Sequence, residues 1–128
     1  MNKLIIDVAS EKIFLMIINS TNIYNITYEN TKINFEKLTI IINDFLISYN
    51  LKLTDINRIY INKGPGSFAG IRNSLSIIKA FNVAKKIDYY CYSLQDFKGE
   101  KDLSYENIPN LCDKFKIKKN LINPIYIS

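Results

Sequence analysis

Arg58-Ile-Tyr-Ile-Asn62-Lys63-Gly64-Pro65-Gly66-Ser67-Phe68-Ala69-Gly70-Ile71-Arg72 is the stretch on which the fold turns. Ile59, Tyr60 and Ile61 make a short apolar run of the kind buried in a parallel sheet. Gly64 and Gly66 then permit backbone angles that a Cβ forbids, Pro65 fixes φ between them, and Ser67 is placed to cap a helix running to about Lys86. Ile87 to Ser93 returns as a further strand. A turn of this kind points several N–H groups outward at the positive end of a helix dipole, where an anion can sit; a tight strand-to-helix turn with no ligand is the plainer reading. It is not a Walker A loop, because Lys63 precedes the glycines instead of closing the cradle. Nor is it the dinucleotide fingerprint, since the spacing of Gly64, Gly66 and Gly70 is off by one.

Upstream, Lys3 to Val8 and Lys12 to Ile18 are β-rich runs separated by Ala9, Ser10 and Glu11, and they predict a hairpin. Asn19 to Asn22 form the next turn, and Ile23, Tyr24, Ile26 and Tyr28 continue as a half-exposed third strand of an antiparallel meander. From Asn34 the period changes. Phe35, Leu38, Ile42, Phe45 and Tyr49 recur at spacings of three and four, predicting one helix to about Asn50 with Asn34 as N-cap. Ile40 and Ile47 lie seven apart and away from that stripe, so either a loop or a partner covers them. Downstream, Leu94 to Phe97 predicts a helical turn, Lys98 to Lys119 a polar tail with one helix after Ser104, and Asn123 to Ile127 an extended end.

The 128 residues, 48% apolar and 23% charged, suffice for one globular domain and not for two. No window approaches eighteen uninterrupted apolar residues, and Asp7 interrupts the first apolar run, so the expectation is a cytosolic chain with neither membrane span nor secretory signal. Cys91 and Cys112, with no histidine in the sequence, read as free thiols and not as a disulfide framework or zinc site. The net charge of +5 is weak evidence for nucleic acid, because isoleucine, asparagine and lysine together make 55 of 128 residues, the mark of AT-rich codons. The one local concentration is Lys114, Lys116, Lys118 and Lys119, alternating with Phe115 and Ile117; it reads as a solvated edge, with an RNA patch as the alternative.

Gly64, Pro65, Gly66, Ser67, Phe68, Gly70 and Arg72 together resemble the signature GPGSFTGxR of the bacterial TsaB (YeaZ) family, the dimerisation subunit of the tRNA N6-threonylcarbamoyladenosine transferase complex. Ile6-Asp7-Val8-Ala9-Ser10 resembles the family's opening segment, Leu53 to Asn57 its lead-in to the signature strand, and Asn123-Pro124-Ile125-Tyr126-Ile127 its C-terminal end. Val8, Asn34 and Ala69 depart from the family's usual residues. The resemblance implies an actin-like, ribonuclease-H-like α/β lobe over residues 1–97, with a five-stranded mixed sheet in order 3-2-1-4-5. On that resemblance, residues 98–128 are expected to form a short tail in place of the family's second lobe. It further implies a non-catalytic scaffold with no cofactor, whose two helices bind the paralogous catalytic subunit TsaD or a second copy of the chain, with the ATPase TsaE completing the assembly.

The second helix fits that implication. At 100° per residue Ile71, Leu75 and Ile78 form one stripe, and Gly70, Ser74, Ile77, Phe81 and Ala84 form an adjacent one. The second stripe mixes small residues with one aromatic, and with Ile40 and Ile47 it is the candidate partner surface; ordinary core is the alternative. Asp7 ends the first strand, where ribonuclease-H-like nucleases hold a metal, but no converging carboxylates accompany it, and a turn role reads better. The sequence offers no arranged nucleophile and base, hence no catalytic residues and no metal ligands. The competing readings are a small phosphate or nucleotide binder acting through the Gly64 loop, and a reduced remnant without function.

Overall fold

The computed structural model describes residues 1–126, so the expected extended end at Ile127 lies outside the described residues. Five strands, β1 (Lys3–Asp7), β2 (Lys12–Ile18), β3 (Ile23–Glu29), β4 (Arg58–Asn62) and β5 (Asp88–Tyr92), form one sheet in the order β3-β2-β1-β4-β5. The first three make the antiparallel meander, with Asp7 opposite Phe14 and Ile13 opposite Tyr28. β1, β4 and β5 are parallel, with Leu4 beside Ile59 and Ile59 beside Tyr89. The order matches the expected 3-2-1-4-5.

Because side chains alternate across a strand, the register sorts the apolar residues onto two faces. Leu4, Ile6, Leu15, Ile17, Ile59, Ile61, Tyr89 and Cys91 belong to one core with the helices α2 (Leu38–Ser48) and α3 (Phe68–Lys85). Ile5, Met16, Tyr60 and Tyr92 face the other way, where Phe97 and the helix α4 (Ile108–Lys114) cover them through Ile108, Leu111 and Cys112. The tail after Phe97 therefore closes the face of the sheet remote from α2 and α3. In β3, exposed and half-buried residues alternate strictly.

The first helical segment differs from the single helix read from periodicity. The short helix α1 (Lys32–Glu36) starts one turn earlier, with Thr31 as N-cap accepting the Asn34 N–H at 3.2 Å. The chain breaks at Lys37 before α2 begins. Asn34 does not cap; its side-chain amide donates to the Glu29 carbonyl at 2.8 Å and ties α1 to the end of β3. Phe35 and Leu38 keep the apolar spacing across the break, which is why periodicity alone joins the two helices.

Beyond α4, Asn120 adopts a left-handed φ of 61° and clasps the edge strand β5. Its N–H donates to the Tyr89 carbonyl at 2.7 Å and its Oδ1 accepts the Tyr89 N–H at 3.0 Å. The open edge is thereby partly capped. The chain then returns to the glycine-rich turn, where the Ile125 N–H donates to the Lys63 carbonyl at 2.8 Å and Tyr126 bridges to Gly66.

Candidate functional site: the glycine-rich turn and the outer helix faces

The signature turn is built around contacts within the chain. Gly64 has φ +113°, and a Cβ there would stand 2.1 Å from the Ile125 carbonyl oxygen. At Gly66 a Cβ would meet the Ala9 Cα at 3.0 Å, so the turn packs directly on the loop after β1. The Gly64 N–H donates to Asn62 Oδ1 at 2.9 Å, and Ser67 caps α3 by accepting the Gly70 N–H at 3.3 Å. Phe68 is exposed and lies against Tyr126, with the Arg72 guanidinium 5.6 Å from the Phe68 ring centroid. The glycines thus admit the loop after β1 and the segment at Ile125 to one corner of the fold.

At the carboxyl ends of β1 and β4 lies a cleft of about 400 Å³ lined by Asp7, Asn62, Gly64, Ser93, Gln95 and Tyr105 among others. Asp7 is 5% exposed, and its carboxylate is engaged by three donors. Oδ1 accepts the Ala9 N–H at 2.9 Å, and Oδ2 accepts the Asn62 amide at 3.1 Å and the Tyr105 hydroxyl at 2.9 Å. Burial, and then the neighbouring Asp7 charge, push the Tyr105 phenol well above its ordinary range and keep it a donor. Asp7 is therefore the hub joining β1, β4 and the tail. Among the described residues no three His, Cys, Asp or Glu side chains group as a metal site.

The partner-surface residues expected from sequence divide into two sets. Gly70, Ser74 and Phe81 turn inward, which corrects their assignment to an outer stripe. With Ile71, Leu75 and Ile78 they form one buried arc of about 140° at 100° per residue, wider than a single stripe. The arc is wide because α3 packs on the sheet and also meets α1, where the Asn73 amide donates to the Phe35 carbonyl at 2.6 Å. Ser74 is fully buried and bonds the Ile71 carbonyl at 2.9 Å.

Ile77 is half-buried at the margin of the arc and Ala84 is exposed. Ile40 and Ile47 are 58% and 65% exposed, and on α2 they stand opposite the buried Leu38, Ile41, Ile42, Phe45 and Leu46. Ile33 on α1 and Val83 on α3 are likewise exposed, at 66% and 69%, and sequence reading passed over both. Val83 sits outside every apolar repeat of α3, so its only signal was a large aliphatic side chain on a polar side of the helix.

The sheet order and the two-faced packing define a ribonuclease-H-like α/β fold. Solved structures agree. YeaZ from Pseudomonas aeruginosa superposes with a TM-score of 0.66 at 17% identity, covering 72% of this chain and 43% of that one. Thermus thermophilus RuvC, in its complex with a Holliday junction substrate, gives a TM-score of 0.55 at 9% identity, over 98% of this chain and 85% of that one. The profile of the family described as TsaD, tRNA N6-adenosine threonylcarbamoyltransferase, matches residues 31–94, from the N-cap of α1 through β5. That is half of the chain, and the chain belongs to this family. The tRNA threonylcarbamoyladenosine biosynthesis protein TsaB of Buchnera aphidicola is 26% identical over 98 residues, 77% of this chain and 47% of the relative. The chain thus spans about half the length of the TsaB protein it matches.

Proposed function

We propose that this chain is a non-catalytic subunit that binds a TsaD-like protein through the outer sides of α2 and α3 and so supports threonylcarbamoyl transfer to the adenosine beside the tRNA anticodon. The observation that carries the reading is the bare apolar surface formed by Ile40 and Ile47, directly opposite the buried arc of α2. Large aliphatic side chains held in water on a well-packed helix are what an interface of about 800 Å² per partner is made from. The tail packs on the remote face of the sheet and leaves these residues uncovered. Family membership and the TsaB relative supply the kind of partner. In the same proposal the assembly is cytoplasmic, a TsaE-like ATPase joins it, and the chain pairs with itself through the same helices when the partner is absent.

A nucleotide-binding role for the Gly64 turn is less well supported, since Ile125 and Ala9 occupy the space beside its glycines. The test replaces the chain in its own cell by the Ile40→Glu/Ile47→Glu variant and measures threonylcarbamoyladenosine in digested tRNA by mass spectrometry. Both sites are exposed, so stability should change by no more than about 0.5 kcal/mol each. Wild type should sustain the modified nucleoside and the variant should lose it. An unchanged level in the variant, or in a strain lacking the chain altogether, overturns the proposal. Phe81→Glu is unsuitable for this purpose, because it would place a charge in the core.

A further inference from the structure

The partner surface makes no use of the lysine run from Lys114 to Lys119. In the structure its four ammonium groups divide into two pairs. Lys114 is paired with Glu100, and Lys119 reaches Asp88 at 3.6 Å. Lys116 and Lys118 form no ion pair among the described residues. Both line a polar notch of about 150 Å³ beside the edge strand β5, whose walls also include Lys63, Asp96 and Asn123.

Lys63 is the unusual member, a lysine only 8% exposed. Its ammonium donates to Asn123 Oδ1 at 3.2 Å and lies 3.7 Å from Asp96 Oδ2. An ammonium has three donors, and only the one to Asn123 makes a hydrogen bond among the described residues, the contact with Asp96 being an ion pair too long for one. Asp96 Oδ2 also accepts the Ser93 N–H at 2.9 Å. The one carboxylate of the notch is therefore already matched by Lys63 and a backbone N–H, and Lys116 with Lys118 leaves a surplus of two positive charges.

We propose that this notch binds a single phosphoryl group, carried either by a free nucleotide or by an RNA backbone. The surplus charge matches one phosphate of one to two negative charges, and lysine serves phosphate as a compact point charge with several donors. The volume lies below the roughly 300 Å³ at which pockets for whole small molecules begin, so the notch takes the oxyanion and leaves the base outside. The site is on the β5 side of Lys63, the residue that leads into the Gly64 turn, and no residue of α2 or α3 lines it, so it stands or falls independently of the partner surface.

The experiment titrates the full chain with inorganic phosphate and with AMP, following backbone amide NMR shifts, and with a short single-stranded RNA, following fluorescence anisotropy at several salt concentrations. Lys116→Gln/Lys118→Gln is compared with Lys37→Gln/Lys85→Gln, which removes the same charge elsewhere; all four side chains are exposed and the fold should survive. Saturable shifts centred on Lys63, Asp96 and residues 116–123, weakened at least about tenfold in the first variant and unchanged in the second, are the expected result. If RNA is the carrier, its log–log salt slope should fall by about two in the first variant. If a nucleotide is the carrier, AMP binds with that same dependence and RNA does not. Absence of saturable binding by all three probes, or equal losses in both variants, overturns the assignment.

Discussion

Gly64 shows at the residue scale what the signature turn is for. Its φ of +113° suits glycine, and the carbonyl of Ile125 fills the place of a Cβ, so Gly64→Ala must either strain the turn or expel the C-terminal segment. The expected cost is above about 1 kcal/mol, read as a lowered midpoint in thermal unfolding; an unchanged midpoint would contradict the packing described here. The sequence identified the turn because glycine, proline and a capping serine act locally. It did not show the contact with Ile125, which comes from the far end of the chain and leaves no local pattern. The cysteines make a second residue-scale case. Burial pushes the thiols of Cys91 and Cys112 up to about 12, so at pH 8 both are protonated as well as inaccessible. Ellman's reagent should leave the native protein unmodified and label both thiols after denaturation; rapid labelling of the folded chain would argue that one face of the sheet is open.

At the scale of elements, apolar periodicity located α2 and α3 and the faces they bury, because those faces meet a sheet whose own alternation is regular. It failed where a third body intervenes. Phe81 and Ser74 look like a separate stripe from sequence, yet both are buried in an arc wider than one stripe, on a helix that meets α1 as well as the sheet, and the break at Lys37 is invisible because the spacing runs through it. The tail helix was legible only as a helix, and its weak pattern did not say which face of the sheet it covers. Its role is now testable. Leu111 is 2% exposed and packs with Ile108 and Cys112 over Ile5 and Tyr60. Leu111→Ala should cost about 2 to 5 kcal/mol in denaturant unfolding, whereas the exposed Asn110→Ala should stay within about 0.5 kcal/mol. Equal effects of the two substitutions would mean that α4 does not hold the second core.

For the whole molecule, the arrangement has a direction. One face of the sheet carries α2 and α3, the other carries the tail, and the helical side leaves the pair Ile40 and Ile47 uncovered on α2, with Ile33 on α1 and Val83 on α3 exposed as well. That pair was visible in the sequence as an anomaly, two isoleucines seven apart on the wrong side of a helix, and the structure supplies the reason it stays unresolved within one chain. Sedimentation velocity of the purified chain mixed with a TsaD-like protein tests the central claim most directly. The account predicts a faster-sedimenting complex with the wild-type chain and none with Ile40→Glu/Ile47→Glu; a complex that forms equally well with both, or with neither, would contradict it.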